Sequence, residues 1–312
     1  MNNFKKYVFI GVASLLAACL STSAMALEVI FQPIAPGIYA FIGSTDGRSY
    51  ENESLNANIG LVVTPAGAVL IDSGASYLGA KQLAQAVKKI TSQPIRWVIN
   101  TGGQDHRWLG NGYFKAQGAE IIAHANAQPD MLARGLQHIQ TNAPVLKEKF
   151  DGTERVLPTR WLQGQSTTIE WGGTVFEIIH RNGGHTPGDS MVWLPQSKVV
   201  FTGDVVYVQR ILGLNDVSKT KSWLTSFEAL EALKPEIVVP GHGAVTTLAT
   251  AQRDTGSLLK ALRAHMSKRV ADGVDLSAAI KSFDGKPFQH LQHVEVWLPQ
   301  LANRTYLEVE QE

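Results

Sequence analysis

The sequence predicts an α/β fold built on mixed sheets. Three observations point to it. Apolar runs of strand length alternate with amphipathic helical runs. Two early strand candidates are joined by a hairpin signal rather than a crossover. Four loops that carry His or Asp side chains each follow a strand candidate. The chain has 312 residues, 44% hydrophobic and 18% charged, an ordinary globular balance with ample material for a core. Its formal charge of +1 leaves no footprint for a nucleic-acid partner, so a small-molecule substrate is expected.

The elements follow in order. Lys5 and Lys6 precede an apolar run from Tyr7 to about Leu20, and Ala24-Met25-Ala26 offers a small-x-small cleavage site. Residues 1–26 therefore read as a signal peptide, too short in its apolar part for a bilayer span of roughly 20 residues. Removing its two lysines takes the charge from +1 to −1. Cys19, the only cysteine, closes Leu16-Ala17-Ala18-Cys19, which resembles a bacterial lipoprotein box. Two readings stand: a soluble periplasmic protein cut after Ala26, or one tethered by lipid at Cys19. Both place the chain outside the cytoplasm without an internal disulfide. No linker divides residues 27–312, so a single domain is expected.

Strands are predicted at Gly37–Ile42, Ile59–Thr64 and Gly67–Ile71, the last two around Pro65-Ala66. Tyr77–Ile90 reads as a helix, with Leu78, Leu83, Ala86, Val87 and Ile90 near helical spacing. Arg96–Asn100 is a short strand that feeds a glycine-rich loop. Gln128–Gln140 reads as helix and is followed by a polar stretch to about Thr168. Val175–His180, Ser190–Leu194, Lys198–Phe201 and Glu236–Val239 read as strands, and Ser222–Leu233 and Thr247–Val270 as helices.

The chemistry lies in the loops. These are Asn100-Thr101-Gly102-Gly103-Gln104-Asp105-His106-Arg107, Gly183-Gly184-His185-Thr186-Pro187-Gly188-Asp189-Ser190, Phe201-Thr202-Gly203-Asp204 and Val239-Pro240-Gly241-His242-Gly243. Ligands at the ends of separate strands can converge on one sheet edge. Gly-His-Thr-Pro-Gly-Asp-Ser, then Thr-Gly-Asp, then Pro-Gly-His-Gly resemble the metallo-β-lactamase superfamily, with spacings of 19 and 38 residues between His185, Asp204 and His242. Leu70-Ile71-Asp72-Ser73-Gly74 matches that family's early strand ending in Asp-x-Gly. The resemblance implies a four-layer αβ/βα sandwich of two mixed β-sheets flanked by helices, with the metal site along one sheet edge.

The first motif departs from the pattern. The family's Thr-His-x-His-x-Asp-His is followed shortly by Gly-Asn, and here Thr101 to Gly110-Asn111 keeps that length. Read without a gap, Gly102 and Gln104 replace the two leading histidines, His106 stands in the aspartate's place, and Arg107 replaces the last histidine. A one-residue shift would instead pair Asp105-His106 with the family's Asp-His. Under both readings the first metal keeps only His185. The resemblance then implies one ion on His106, Asp204 and His242, with His185 as fourth ligand or water partner. Three protein ligands plus water is a catalytic zinc pattern, and such an ion makes hydroxide available near neutral pH. Asp105, or a free oxygen of Asp204, is expected as general base. Zinc is the default; iron or manganese also suits two histidines and a carboxylate.

A finer resemblance is to SoxH-like periplasmic members associated with quinoprotein dehydrogenase systems. It rests on the exported N-terminus, Gly110-Asn111, and Asn303-Arg304-Thr305-Tyr306. Further expectations concern single residues. Gln104 either donates to substrate or fills a histidine's space. Arg107 pairs with Asp72 or Asp204, or binds an anion, and Asp72 orients a ligand loop. The histidines at 124, 138, 180, 265, 290 and 293 are not expected as ligands, and the tryptophans are core or pocket wall, with Trp108 singled out beside the first motif. Residues 128–168 and the loop Val205–Ser222 are the expected substrate walls. The reading is a periplasmic metal-dependent hydrolase of an ester, thioester, amide or lactam-like substrate. The alternatives are a non-catalytic binding or accessory protein of a periplasmic oxidation system, and an antibiotic-degrading lactamase.

Overall fold

The structure, a computed structural model, describes residues 27–312; the expected signal peptide and Cys19 lie outside the described residues. One sheet carries seven strands in chain order: β1 (Phe31–Ala35), β2 (Ile38–Phe41), β3 (Ile59–Thr64), β4 (Gly67–Ile71), β5 (Ile95–Asn100), β6 (Glu120–His124) and β7 (Arg160–Leu162). Strands β1 to β4 are antiparallel and β4 to β7 parallel. The second sheet, ordered β12-β11-β10-β9-β8, holds β8 (Ser166–Trp171), β9 (Thr174–His180), β10 (Ser190–Leu194), β11 (Val199–Phe201) and β12 (Ile237–Val239). It is antiparallel except for the β11–β12 pair.

The two sheets face each other. Val62, Val69, Ile71 and Ile99 from one pack with Ile178, Val192, Phe201 and Val239 from the other. Gly60 permits that approach: a Cβ there would lie 2.5 Å from the Phe201 ring. Helices cover both outer faces. Helix α1 (Tyr77–Lys88) is capped by Ser76, which accepts from the Gly79 amide, and sets Leu83 and Val87 against Leu61, Leu70 and Val98. The short α2 (Asp105–Trp108) and α3 (Asn111–Ala116) follow β5, and α4 (Ala127–Leu146) follows β6. The second sheet is covered by α5 (Thr220–Leu233), α6 (Leu248–Ala251), α7 (Ser257–Ala271), α8 (Leu276–Lys281) and α9 (Val294–Glu310). Trp223, Phe227, Leu259 and Leu301 pack there with Met191 and Val200. The four-layer sandwich is therefore the fold. Strands β3 and β4 read as unbroken apolar runs because both of their faces are covered.

Several boundaries differ from the expectation. The polar stretch ending near Thr168 contains β7 and the start of β8, whose polar residues face outward. Helix α4 extends to Leu146, because Met131, Gly135, His138, Asn142 and Leu146 form one buried stripe. The helical run from Thr247 is interrupted by a π segment at Gln252–Gly256. That wider turn swings Asp254 and Thr255 inward. Asp254 accepts from the Gln209 amide at 3.1 Å, and Thr255 Oγ1 accepts from the Tyr207 amide at 3.0 Å. Among the described residues no helix is long and apolar enough to cross a membrane.

Candidate metal centre

Strands β4, β5, β11 and β12 end together, so Asp72, the 101–107 loop, Asp204 and His242 meet at one edge of the sandwich. The loop between β9 and β10 adds His185. Asp72 sits at φ +68°, a left-handed conformation that a non-glycine residue holds only when its surroundings over-determine it. Here they do. Its carboxylate accepts from the Thr101 amide at 2.7 Å, from Thr101 Oγ1 at 2.8 Å and from Arg107 Nη1 at 2.9 Å.

Arg107 is fully buried and joins two carboxylates. Besides Asp72 it reaches Asp204 twice, Nη2 to Oδ1 at 2.6 Å and Nε to Oδ2 at 3.2 Å. The expected structural ion pair of Arg107 is thus made with both acids at once. Burial would raise the Asp204 carboxyl, but Arg107, His106 and His185 outweigh it and hold the group well below the usual carboxylate range.

Two imidazoles converge on that same carboxylate. His106 Nε2 lies 3.1 Å from Asp204 Oδ2, and His242 Nε2 lies 3.2 Å from Asp204 Oδ1. One donor atom from each of His106, Asp204 and His242 falls within 4.8 Å of the other two. The His242 tautomer is fixed from behind. Its Nδ1 lies 2.8 Å from the Asn56 carbonyl oxygen, which only accepts, so Nδ1 carries the proton. Burial pushes the ring's pKa down to about 3, against its contact with Asp204. Nε2 therefore presents a lone pair to a carboxylate oxygen. Two acceptors facing each other in a buried site repel unless a cation lies between them. The donor set fits a divalent ion: two imidazole Nε2 atoms and a carboxylate.

His185 stands beside this set rather than in it. Its Nδ1 is 3.3 Å from Asp204 Oδ2, and its Nε2 is 3.3 Å from Asn215 Nδ2. The Asn215 amide is oriented because its Oδ1 accepts from the Val217 amide. His185 Nε2 is consequently an acceptor, and Nδ1 bears the proton of the neutral ring.

Asp105 is not the general base expected of it. Its Oδ1 accepts from Gln104 Nε2 at 3.0 Å and from the His106 amide at 2.9 Å, and Asn142 Nδ2 donates to Oδ2 at 2.7 Å. Arg48 Nη2 is 2.7 Å from both oxygens. Burial works against ionisation, yet Arg48 and His106 keep the acid well below its usual range. A carboxylate so saturated has neither a free lone pair nor the affinity to take a proton. The structure brings His106, not Asp105, to Asp204. Gln104 is held among polar partners: Oε1 accepts from Arg134 at 3.2 Å and from Asn215 at 3.3 Å. At Gly102 a Cβ would lie 2.5 Å from Asp189 Oδ1, so a histidine there needs a rearranged loop.

A cavity of about 260 Å³ opens over the centre, lined by His106, His185, His242, Gln104 and Asn215 among others. The Val205–Ser222 loop supplies Tyr207, Arg210 and Leu214, as expected. Residues 128–168 do not reach this cavity. Helix α4 turns Arg134, Gln137, His138 and Thr141 into a neighbouring one instead. Arg48, Asn56, Trp297 and Gln300 are walls that sequence reasoning missed. Arg210 had a signal, a lone charge inside the apolar run Val205–Leu212; Arg48 had none. Trp108 is fully buried, donates to the Gly103 carbonyl and packs with Met131 and Leu146, so it is core. His124 and His180 stack at 3.8 Å on backbone partners, away from the centre.

Residues 53–242 match the family model described as the Metallo-beta-lactamase superfamily. A Metallo-beta-lactamase type 2 of Bacillus sp. (strain 170) is 30% identical over 201 residues, 63% of this chain and 70% of that protein. The Hydroxyacylglutathione hydrolase GloC of Haemophilus influenzae is 27% identical over 192 residues, 60% of this chain and 84% of that protein. The solved structure of a metallo-beta-lactamase from Pontibacter korlensis, 24% identical, superposes with a TM-score of 0.58 over 75% of this chain and 99% of that one. The matched segment spans more than half of the chain and contains every residue of the His106, Asp204 and His242 cluster, and the chain belongs to the metallo-beta-lactamase superfamily.

Proposed function

We propose that the protein is an exported metal-dependent hydrolase working with a single ion, zinc by default, held by His106, Asp204 and His242. One observation carries the reading: the Nε2 lone pair of His242 meets Asp204 at 3.2 Å in a buried site, with no proton to share between them. When bound, such an ion polarises a carbonyl or ester oxygen and lowers the pKa of a ligated water to about 7.

The chain's own residues supply the rest. Asp204 is tied at both oxygens by Arg107, so it holds charge and is a weak base. His185 lines the cavity, and its neutral ring can take a proton at Nε2, where Asn215 donates, and return it during turnover. Asp105 positions His106, from whose Nδ1 its Oδ1 is 3.3 Å. An ester, thioester, amide or lactam-like substrate fits this chemistry, and the names of the relatives, a lactamase and a hydroxyacylglutathione hydrolase, support that range. The leader supports a periplasmic location, soluble or tethered at Cys19, and the SoxH-like features support association with a quinoprotein dehydrogenase system.

A second reading is favoured by one observation: Gln104 is bonded into the place of a lost histidine, as in a fold retained for binding alone. Elemental analysis of the purified mature protein separates the two. One zinc, iron or manganese per chain is expected, lost in His106→Ala and His242→Ala, with ester or lactam turnover abolished by a chelator. Metal-free protein, equally stable with and without chelator, would overturn the hydrolase.

A further inference from the structure

Helix α4 buries an imidazole that nothing in the fold satisfies. His138 is 4% exposed, and among the described residues neither of its ring nitrogens has a hydrogen-bond partner. The ring meets Trp108 edge to face, centroids 6.1 Å apart, and lines the cavity beside the one over the metal centre. That second cavity measures about 280 Å³. Arg48, in the same wall, keeps a buried Nε without a partner, and Asn142, bonded to two residues of the wall, keeps a buried Oδ1 in the same state. A polar group left unsatisfied in the interior costs free energy, so such groups are rare in a native fold. Three such residues gathered at one cavity share one remedy, a ligand that supplies the missing bonds.

The arrangement is held from behind. Asn142 Nδ2 donates to Asp105 Oδ2 at 2.7 Å and to the His138 carbonyl at 2.9 Å, which uses both of its protons and leaves Oδ1 as a fixed acceptor. The charges at the cavity are matched inside the protein, Arg48 by Asp105 and Arg134 by Asp130. Asp216, exposed in the lining, repels an anion, and the two arginines repel a cation. Among the described residues that line the cavity, only Leu214 is apolar. The occupant is therefore neutral and polar. Burial pushes the His138 pKa down to about 4, so its ring is neutral and carries one donor and one acceptor. Arg48 Nε and one His138 nitrogen lack acceptors; the other His138 nitrogen and Asn142 Oδ1 lack donors. A hydroxyl donates and accepts through one oxygen, so two neighbouring hydroxyls meet all four needs.

We propose that this second cavity binds a neutral hydroxylated group, a polyol or a sugar unit, whose hydroxyls bond to His138 and Arg48. Gln137 and Thr141 of α4 are exposed and line the cavity, so the ligand enters past them from solvent. Gln104 and Asn215 line both cavities and form the partition from the metal centre. The site thus stands apart from the hydrolase reading and is filled with or without a metal.

The test uses the full mature protein as purified, with its histidine rings isotope-labelled. Sorbitol, D-glucose and acetamide are titrated in turn and followed by NMR. The His138 ring signals, identified by their absence in His138→Leu, are expected to shift and saturate with sorbitol or glucose, at an affinity at least tenfold above that for acetamide. Without ligand, His138→Leu unfolds at the wild-type temperature or above, because two unpartnered ring nitrogens have given way to an apolar chain, and this also shows that the variant is folded. Polyols stabilise proteins generally by exclusion from the surface, so the thermal readout is a difference: sorbitol raises the unfolding temperature of the wild type by more than that of His138→Leu. Thr141→Val, at an exposed position, keeps the fold and binds sorbitol severalfold more weakly. Should His138→Leu fail to fold, saturation in the wild type and its weakening in Thr141→Val still decide. Shifts that grow without saturating, or equal stabilisation of wild type and His138→Leu, overturn the site. Acetamide bound as tightly as either polyol overturns the hydroxylated ligand. Polyol affinity lost when a chelator strips the metal places the ligand at the metal centre and overturns the site as well, whereas affinity kept in metal-free protein sustains it even where the hydrolase reading fails.

Discussion

The two sides of the 102–107 loop are built differently. Toward Asp204, three fully buried side chains, Asp72, Arg107 and Asp204, are linked through the arginine, and Asp204 meets two imidazoles. Toward His185, amides do the work: Asn215 bonds to both Gln104 and His185, with Arg134 on Gln104 at the outer edge. The first side sets two carboxyl groups against one guanidinium, with burial pushing the Asp72 carboxyl up and Arg107 and Thr101 opposing that rise. The second is held mainly by amide hydrogen bonds. A buried place where a lone pair faces a carboxylate is where a cation belongs.

The largest effect that would break this comparison is at Arg107. Arg107→Met leaves Asp72 and Asp204 buried without their cation, and removing one partner of a buried pair costs about 3–5 kcal/mol. Chemical denaturation of the metal-free protein is expected to show a loss of that size. A variant as stable as the wild type would mean that the charged side does not depend on its arginine.

A smaller effect tests the amide side. Asp189 lies behind Gly102, accepts from the Thr186 amide at 2.7 Å, and is pushed up to about 6 mainly by burial, with His185 opposing and Asp204 adding to the rise. A carboxyl whose folded value lies above its unfolded one weakens the fold only where it is ionised. Stability relative to Asp189→Asn is therefore highest below about pH 4, falls as the pH rises through about 6, and is flat beyond. The amplitude is on the order of 2–3 kcal/mol. Parallel urea curves at pH 4, 6 and 8 check it; a difference that does not change with pH would show that Asp189 stays neutral or is fully solvated.

The sequence made the charged side legible and the amide side not. His106, Asp204 and His242 each close a strand with a short glycine-bearing turn, and such local signals survive in a linear reading. Strand bounds followed for the same reason: β3, β4 and β10 match their expected bounds because their apolar runs are bounded by turns. What failed was everything set by distant partners. Asp105 looked like a base in a turn, but Arg48 and Asn142, 57 and 37 residues away, saturate it. Trp108 followed the motif, but the α4 stripe encloses it. Strand β6 and helix α9 carry no periodic signal strong enough to read alone, and α9 brings Trp297 to a cavity whose other walls lie far earlier in the chain.

The finest distinction between the two sides lies at Gln104. Its truncation in Gln104→Ala removes one donor to Asp105 and one acceptor shared by Arg134 and Asn215. Asp105 keeps Arg48, Asn142 and the His106 amide, while Arg134 and Asn215 can turn to water in the adjoining cavities. The loss is that of an ordinary hydrogen bond, about 1 kcal/mol. Because none of these groups faces Asp204, bound metal per chain should equal that of the wild type, in contrast to its disappearance in His242→Ala. Elemental analysis alongside the unfolding curves decides the point: metal lost together with that small stability change would place Gln104 within the cation's own surroundings, and the division between the two sides would fall.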